Sequence, residues 1–249
     1  MVRVMGKDTA ISWATATWNP WIGCHPVSAA CNNCYAEAWA RRCGRDFSKV
    51  TRASNATFYA PSKWKDPRRI FVCSLSDFFH PNADEWRPDA WGVIHEASWH
   101  TYLILTKRPE FMAIDTLGWS QPSYVWLGVT AENQEQAEKR MPALVQIPAA
   151  LHFVSIEPVL GPINLGTSLR RFRPDGNGGV IEYRSLDWVI VGCESGPNRR
   201  ECKVEWIEDI VDQCRAAKVP VFVKQGSHRF PGRQRDIPDH LWKIKEIPT

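Results

Sequence analysis

The sequence predicts an α/β fold, a parallel β/α barrel of about six to seven strands carrying a small hairpin insertion, on three observations. From about Ile70 onward one phrase repeats: a short β-branched run, a polar cluster, then an amphipathic stretch, the pattern of βα units feeding a parallel sheet. A chain of 249 residues with 44% hydrophobic content can bury one sizeable core. The polar residues gather just after the apolar runs, which is where parallel barrels keep their chemistry.

The expected strands, in order, are Ile11 to Thr17, with alternating small and aromatic residues, then Ile70 to Cys73, Thr101 to Leu105, Tyr124 to Val129, Leu151 to Ile156, Trp188 to Val191 and Pro220 to Val223. Helices fall between them. Asn133 with Gln136 three residues later can form a reciprocal cap, after which Ala137, Met141, Leu144 and Val145 share a face. Val204, Ile207, Ile210, Val211 and Cys214 make a second apolar stripe that ends near Lys218 and Pro220, so Cys214 is a core residue. Pro174, Asp175, Gly176, Gly178 and Gly179 mark a turn between two extended pieces over Arg170 to Arg184, a hairpin within an insertion near 164–186. Nothing in the composition divides the chain, and 1–249 reads as a single domain.

A formal net charge of +4 is too slight to identify a nucleic-acid binder. Local runs are more suggestive: Arg41, Arg42, Arg45, Lys49 and Arg52; Arg170, Arg171 and Arg173; and Arg229, Arg233 and Arg235. Each alone can be a solvated surface. Thirteen tryptophans could stack on bases, though packing in the core or at the barrel ends accounts for most of them. No apolar run reaches the ~20 residues that span a bilayer, and Met1 to Ala10 lacks a signal-peptide core. The expected location is therefore the cytoplasm, with no membrane partner. There eight cysteines are thiols, metal ligands or catalytic groups rather than disulfides.

Six polar sets follow the runs: Ser74, Ser76 and Asp77; Thr106, Lys107 and Arg108; Thr130, Glu132 and Asn133; Ser155 and Glu157; Glu194 and Ser195; Lys224 and Gln225. Helix capping explains any one of them, but six on one rim suggest a site. The sharpest local signal is the loop containing Cys24, Cys31 and Cys34, with Tyr35 next. Cysteines three apart at a helix start turn their sulfurs to one side, and a third can reach them from the loop before. Three thiolates would leave one iron of a 4Fe–4S cluster open to a small molecule.

These features resemble the radical S-adenosylmethionine (SAM) superfamily. More narrowly, Thr17-Trp18-Asn19-Pro20, Ser76-Asp77-Phe78-Phe79-His80, Leu105-Thr106-Lys107-Arg108-Pro109, Ser155-Ile156-Glu157-Pro158, Val191-Gly192-Cys193-Glu194-Ser195-Gly196 and Lys224-Gln225 resemble an uncharacterised phage-associated family grouped with it. The resemblance implies a partial, open barrel and reductive cleavage of SAM to a 5′-deoxyadenosyl radical. It implies an electron donor as partner and a bacterial or phage-infected cell as setting. Cys24, Cys31 and Cys34 would hold the cluster, Tyr35 would lie near the adenine, and Ser76, Asp77, Lys107, Thr130, Glu132, Glu157, Glu194 and Lys224 would complete the cofactor cavity.

The substrate expected from the basic runs and the phage setting is a nucleic acid or nucleotide. Three departures stand out. Six residues separate Cys24 from Cys31 where the superfamily usually has three; Ser74-Leu75-Ser76-Asp77 replaces a glycine-rich element; and Cys193 stands where a glycine is common, as a small filler or an extra thiol.

Other readings stay open. Zinc could be held by the three cysteines with His25 or Cys43, giving a nucleic-acid-binding protein without turnover, and a catalytically inactive barrel could act as a phage interaction protein. Glu157 and Glu194 could be an acid/base pair, and Lys107, Arg108 and Lys224 could pair with Asp77, Glu132, Glu157 or Glu194 rather than with a ligand. Cys43, Cys73 and Cys214 read as small buried hydrophobes. The histidines show no mutual ligand spacing.

Overall fold

The computed structural model describes residues 8–115, 122–174 and 179–248. Seven strands make the main sheet: β1 (Ala16–Trp18), β4 (Arg69–Val72), β5 (Thr101–Thr106), β6 (Val125–Thr130), β7 (Leu151–Ile156), β10 (Trp188–Val191) and β11 (Val221–Val223). They lie in the order β1-β4-β5-β6-β7-β10-β11, so each strand is laid beside the one before it. A doubly wound sheet would reverse its order at a switch point; this one does not, which is the winding of a barrel. The strands are parallel, with Ala16 opposite Ile70, Arg69 opposite Thr101, Trp188 opposite Phe153 and Val189 opposite Val221. No pairing joins β1 to β11 among the described residues, so the barrel is partial and open, as expected.

The two remaining strand pairs are antiparallel. In one, β2 (Trp21–Ile22) meets β3 (Thr51–Arg52). In the other, β8 (Arg170–Pro174) and β9 (Val180–Arg184) form the expected hairpin, whose turn at 175–178 lies outside the described residues.

One strand differs from expectation. The ladder starts where Thr15 N–H donates to the Arg69 carbonyl (2.8 Å), whereas Ala14 N–H folds back onto Ile11 (3.0 Å) in a turn. Trp13 is buried by packing on Phe71, with ring centroids 4.6 Å apart, not by pairing. The alternation from Ile11 thus signalled burial, not strand.

The chain forms two compact units, Met1–Gly128 with Ile147–Ala150, and Val129–Gln146 with Leu151–Thr249. The first holds helices α1 (Tyr35–Arg42), α2 (Asn55–Phe58), α3 (Arg87–Glu96) and α4 (Pro109–Asp115). Its core is aromatic. Trp18 packs on Phe58 and Tyr102 while its indole N–H donates to the Thr57 and Phe58 carbonyls, so the polar edge is not stranded. Helix α3 buries Ala90, Trp91, Val93 and Ile94, and Trp91 sets its edge against Phe78.

The second unit holds α5 (Gln134–Leu144), α6 (Val204–Ala216) and α7 (Asp239–Trp242). Asn133 caps α5 by accepting from Gln136 N–H (3.0 Å); the Gln136 amide turns to Glu135 instead, so the reciprocal half is not made. Helix α6 buries Ile207, Ile210, Val211 and Cys214, the expected stripe, each large apolar side chain contributing about 1.5–3 kcal/mol. It ends before Lys218, whose φ of 56° stops the helix two residues ahead of Pro220. Among the described residues no helix is long and apolar enough to cross a membrane.

Candidate functional site

The cysteine loop leaves β2 at Gly23, where φ is 114° and a Cβ would sit 2.5 Å from the Lys49 carbonyl oxygen. Only glycine fits that close approach. Gly23 N–H donates to Leu75 (3.1 Å) and Cys24 N–H to Phe47 (2.9 Å), so the first cysteine is pinned from two directions. Ser28 to Cys31 makes one tight turn, and Cys34 is the residue from which α1 starts. Cys24, Cys31 and Cys34 all line one pocket of about 330 Å³, together with His25, Pro26, Glu37, Arg41, Arg45, Asp46, Phe47 and Ser48. Among the described residues no group of three or more His, Cys, Asp and Glu side chains is drawn together tightly enough to hold a metal ion as it stands.

Beneath Cys24 lies a buried charge pair from the strand ends. Asp77, after β4, accepts from Phe79 N–H (3.0 Å) and the Thr106 hydroxyl (2.6 Å) through Oδ1. Through Oδ2 it accepts from Lys107 N–H (3.0 Å) and Arg108 Nη1 (3.2 Å). Four donors fill its lone pairs, so Asp77 positions protein groups and has no acceptor left for a ligand.

The Arg108 guanidinium in turn donates to the Cys24 sulfur (3.5 Å) and the His25 carbonyl (2.8 Å). Burial pulls the Arg108 pKa down, and Asp77 and Cys24 outweigh it, so the net direction is up. The Cys24 thiol is pushed up to about 11 by burial and then by Asp77, against the opposing pull of Arg108 and Lys107. Ser76 is likewise committed, its hydroxyl donating to the Gly23 carbonyl (2.5 Å). Tyr35 donates to the Ser74 carbonyl (2.6 Å) and leaves half its surface exposed.

A histidine pair completes this wall. His80 Nδ1 accepts from Asn82 N–H (3.0 Å), which puts the proton on Nε2; that N–H donates to His25 Nδ1 (2.8 Å). Burial, then Arg108 and His25, hold the His80 pKa down to about 4, so the ring is neutral at pH 7. Behind Cys24, Cys73 is buried, with φ 59° and a thiol raised by burial and then by Asp77. A left-handed non-glycine residue is held strain, here directly before Ser74-Leu75-Ser76-Asp77, the stretch that replaces a glycine-rich element.

In the second unit, every carboxylate expected to bind a cofactor has a cation. Glu132, fully buried, pairs with Arg140 (3.0 Å), which also donates to the Thr130 carbonyl. Glu157 accepts both bonds from Lys224 (2.5 and 2.7 Å). Glu194 is gripped by Arg200 through its backbone N–H and its guanidinium. These ion pairs occupy Glu132, Glu157, Glu194 and Lys224, the alternative that their residue types left open.

Cys193 and Cys202 form a disulfide, correcting the expectation of thiols throughout. Nine residues apart, they are brought together by the loop that Glu194 and Arg200 close, which spacing alone does not reveal. Cys43 is exposed where a buried residue was expected, because it falls at the free end of α1; Cys73 and Cys214 are buried. Side chains of Arg170, Arg171 and Arg173 lie outside the described set.

Three signals escaped sequence reasoning. His25 and His80 are 55 residues apart, Arg108 and Cys24 are 84 apart, and Gly23 looked like any loop glycine.

Fold and site together define a partial parallel α/β barrel with a cysteine-lined pocket backed by a buried acid–arginine pair. A family model described as a protein of unknown function (DUF5131) matches residues 8–238, and the chain belongs to that family. No curated protein and no solved structure matches it.

Proposed function

We propose that this chain is a radical SAM enzyme whose cluster is held by Cys24, Cys31 and Cys34. The observation that carries the reading is that these three cysteines, from one loop, line a single pocket, while Arg108, locked by Asp77, donates to the sulfur of one of them. The donor types suit the group, although the three sulfurs would have to draw closer to hold it: soft thiols match iron–sulfur chemistry, and a cation hydrogen-bonded to a ligating sulfur offsets the negative charge that such a group brings. When bound, a 4Fe–4S cluster with three protein thiolates supplies one electron and one open iron position.

The chain's own residues do the rest. Asp77 and Ser76 hold the Cys24 loop in place. The Lys107 ammonium, which has no ion-pair partner among the described residues, suits the SAM carboxylate. The exposed face of Tyr35, next to Cys34, suits the adenine. Arg41 is paired with Glu37, while Arg45, which lines the same pocket and has no ion pair among the described residues, favours an anionic substrate such as a nucleotide or nucleic acid. An external electron donor, in the cytoplasm of a bacterial or phage-infected cell, completes the reading.

A zinc site would need a fourth protein donor. Cys43 does not line the pocket, and because His25 Nδ1 accepts from His80 the neutral His25 ring carries its proton on Nε2, so neither nitrogen offers a free lone pair and the three-donor cluster is preferred.

The test is anaerobic reconstitution with iron and sulfide, then dithionite and SAM, with 5′-deoxyadenosine quantified. Wild type should form it and Cys31→Ala should not. A tightly held zinc ion with no SAM cleavage by wild type would overturn the proposal.

A further inference from the structure

The loop after β11 presents an aromatic ring among arginines. Phe230 is 57% exposed, the largest fractional exposure among the large hydrophobic side chains described. Leaving such a ring in water forgoes burial worth about 1.5–3 kcal/mol; a lone exposed ring is ordinary, and what sets this one apart is how it is held and what surrounds it.

This one is held. Gly226 N–H donates to the Arg233 carbonyl (2.7 Å), Gly232 N–H to Gln225 Oε1 (2.8 Å) and Phe230 N–H to His228 Nδ1 (3.0 Å). At Gly226 a Cβ would lie 2.0 Å from the Gln234 carbonyl oxygen, so the two sides of the loop touch backbone to backbone. The His228 ring packs against Phe230 with centroids 5.7 Å apart. The same loop is tied to the one after β10, where Gly196 N–H donates to the His228 carbonyl (3.1 Å) and Arg199 donates to the Gly196 carbonyl (3.1 Å).

The charge around the ring is cationic. Arg229 and Arg233 are exposed and have no ion pair among the described residues, and neither does Arg199; of this group only Arg235 is paired, with Asp236. A fixed, exposed ring flanked by unpaired guanidiniums is the composition of a base-stacking platform with phosphate contacts to either side. A protein partner would bury the ring equally well, but it would not call for three unneutralised arginines beside it. A duplex would offer phosphates yet keep its base faces covered.

We propose that the loop around Phe230 binds single-stranded nucleic acid, Phe230 stacking on a base while Arg199, Arg229 and Arg233 take phosphates. This surface stands whether or not the cysteine pocket holds a cluster, and it supplies the substrate class that the functional reading left broad.

The experiment is fluorescence anisotropy with the full chain and a labelled oligothymidine of about 15 nucleotides, at about 50 mM and about 200 mM salt. Wild type should bind the single strand more tightly than a duplex of the same length and should weaken with salt. Phe230→Ala should lose about tenfold or more in affinity with an unchanged melting temperature. The double variant Arg229→Ala with Arg233→Ala should also flatten the salt dependence, by a slope of about 1.4 for two phosphate contacts on a single strand. Three results would each overturn the proposal: no binding by wild type, equal binding of the duplex, or full affinity in a folded Phe230→Ala variant. Because none of these readouts involves iron or SAM, failure here is distinguishable from failure of the radical reading.

Discussion

Replacing Asp77 with Ala should be the most damaging single change to the wall behind Cys24. The side chains of Asp77 and Arg108 are each only 6% exposed, and the carboxylate is the counter-charge to the guanidinium at 3.2 Å. Removing one partner of a buried ion pair costs about 3–5 kcal/mol, because the other charge is left in a poor solvent. The Phe79 and Lys107 N–H groups and the Thr106 hydroxyl lose their acceptor as well. Water entering the space offsets that added loss, so the middle of the range, about 4 kcal/mol, is the expected loss.

In a chain of this size 1 kcal/mol moves the melting temperature by about 2–4 °C, which gives a drop of about 8–16 °C. The assay is thermal unfolding followed by circular dichroism, with Arg108→Met and the double variant alongside. The two changes share one interaction, so the double variant should lie at least about 1 kcal/mol above the sum of the singles. A drop under about 2 °C for Asp77→Ala, or strict additivity, would refute the claim that this pair is what organises the loop.

Gly23→Ala should destabilise by about 1–3 kcal/mol through left-handed strain and the close approach of Lys49, and should reduce metal loading; equal stability would contradict the pinned loop. His80 is held near pKa 4, against 6.5 when unfolded, by burial, Arg108 and His25. The unfolded chain therefore binds a proton that the folded one refuses between those values, so this contribution is complete above about pH 6.5 and is lost as pH falls toward 4. Melting temperature against pH should show that loss, and His80→Gln should flatten it. Cys43→Ser at an exposed position should stay within about 0.5 kcal/mol of wild type, whereas Cys214→Ala in the core should cost about 1 kcal/mol or more; neither should alter iron content.

The main-sheet strands β4, β5, β6, β7, β10 and β11 were legible because each is a short apolar run between polar clusters, and Leu151–Ile156 and Trp188–Val191 fall at the expected limits. Ile11 to Thr17 misled because burial and pairing leave the same mark on a sequence: Trp13 is inside without belonging to a ladder. Within the site, what was local could be read. Cys31 and Cys34 at the start of α1 follow from spacing, and the pairing of Glu194 with Arg200 spans only six residues.

What depends on the closing of distant strand ends could not. The commitment of Asp77 to Arg108, of Arg108 to Cys24 and of His80 to His25 is set by which loops the parallel order brings side by side. Residue types at Glu132, Glu157 and Glu194 signalled charge at a rim, but whether that charge meets a ligand or a neighbouring cation is decided by side-chain reach in three dimensions.

The central claim is that Cys24, Cys31 and Cys34 hold a cluster with an iron position open to SAM. Its most direct test is electron paramagnetic resonance of the reconstituted, dithionite-reduced protein, recorded with and without SAM. The account predicts a reduced 4Fe–4S signal that changes on adding SAM and is absent in Cys24→Ala. A wild-type protein showing no iron–sulfur signal, or one whose spectrum is identical with SAM present, would contradict it.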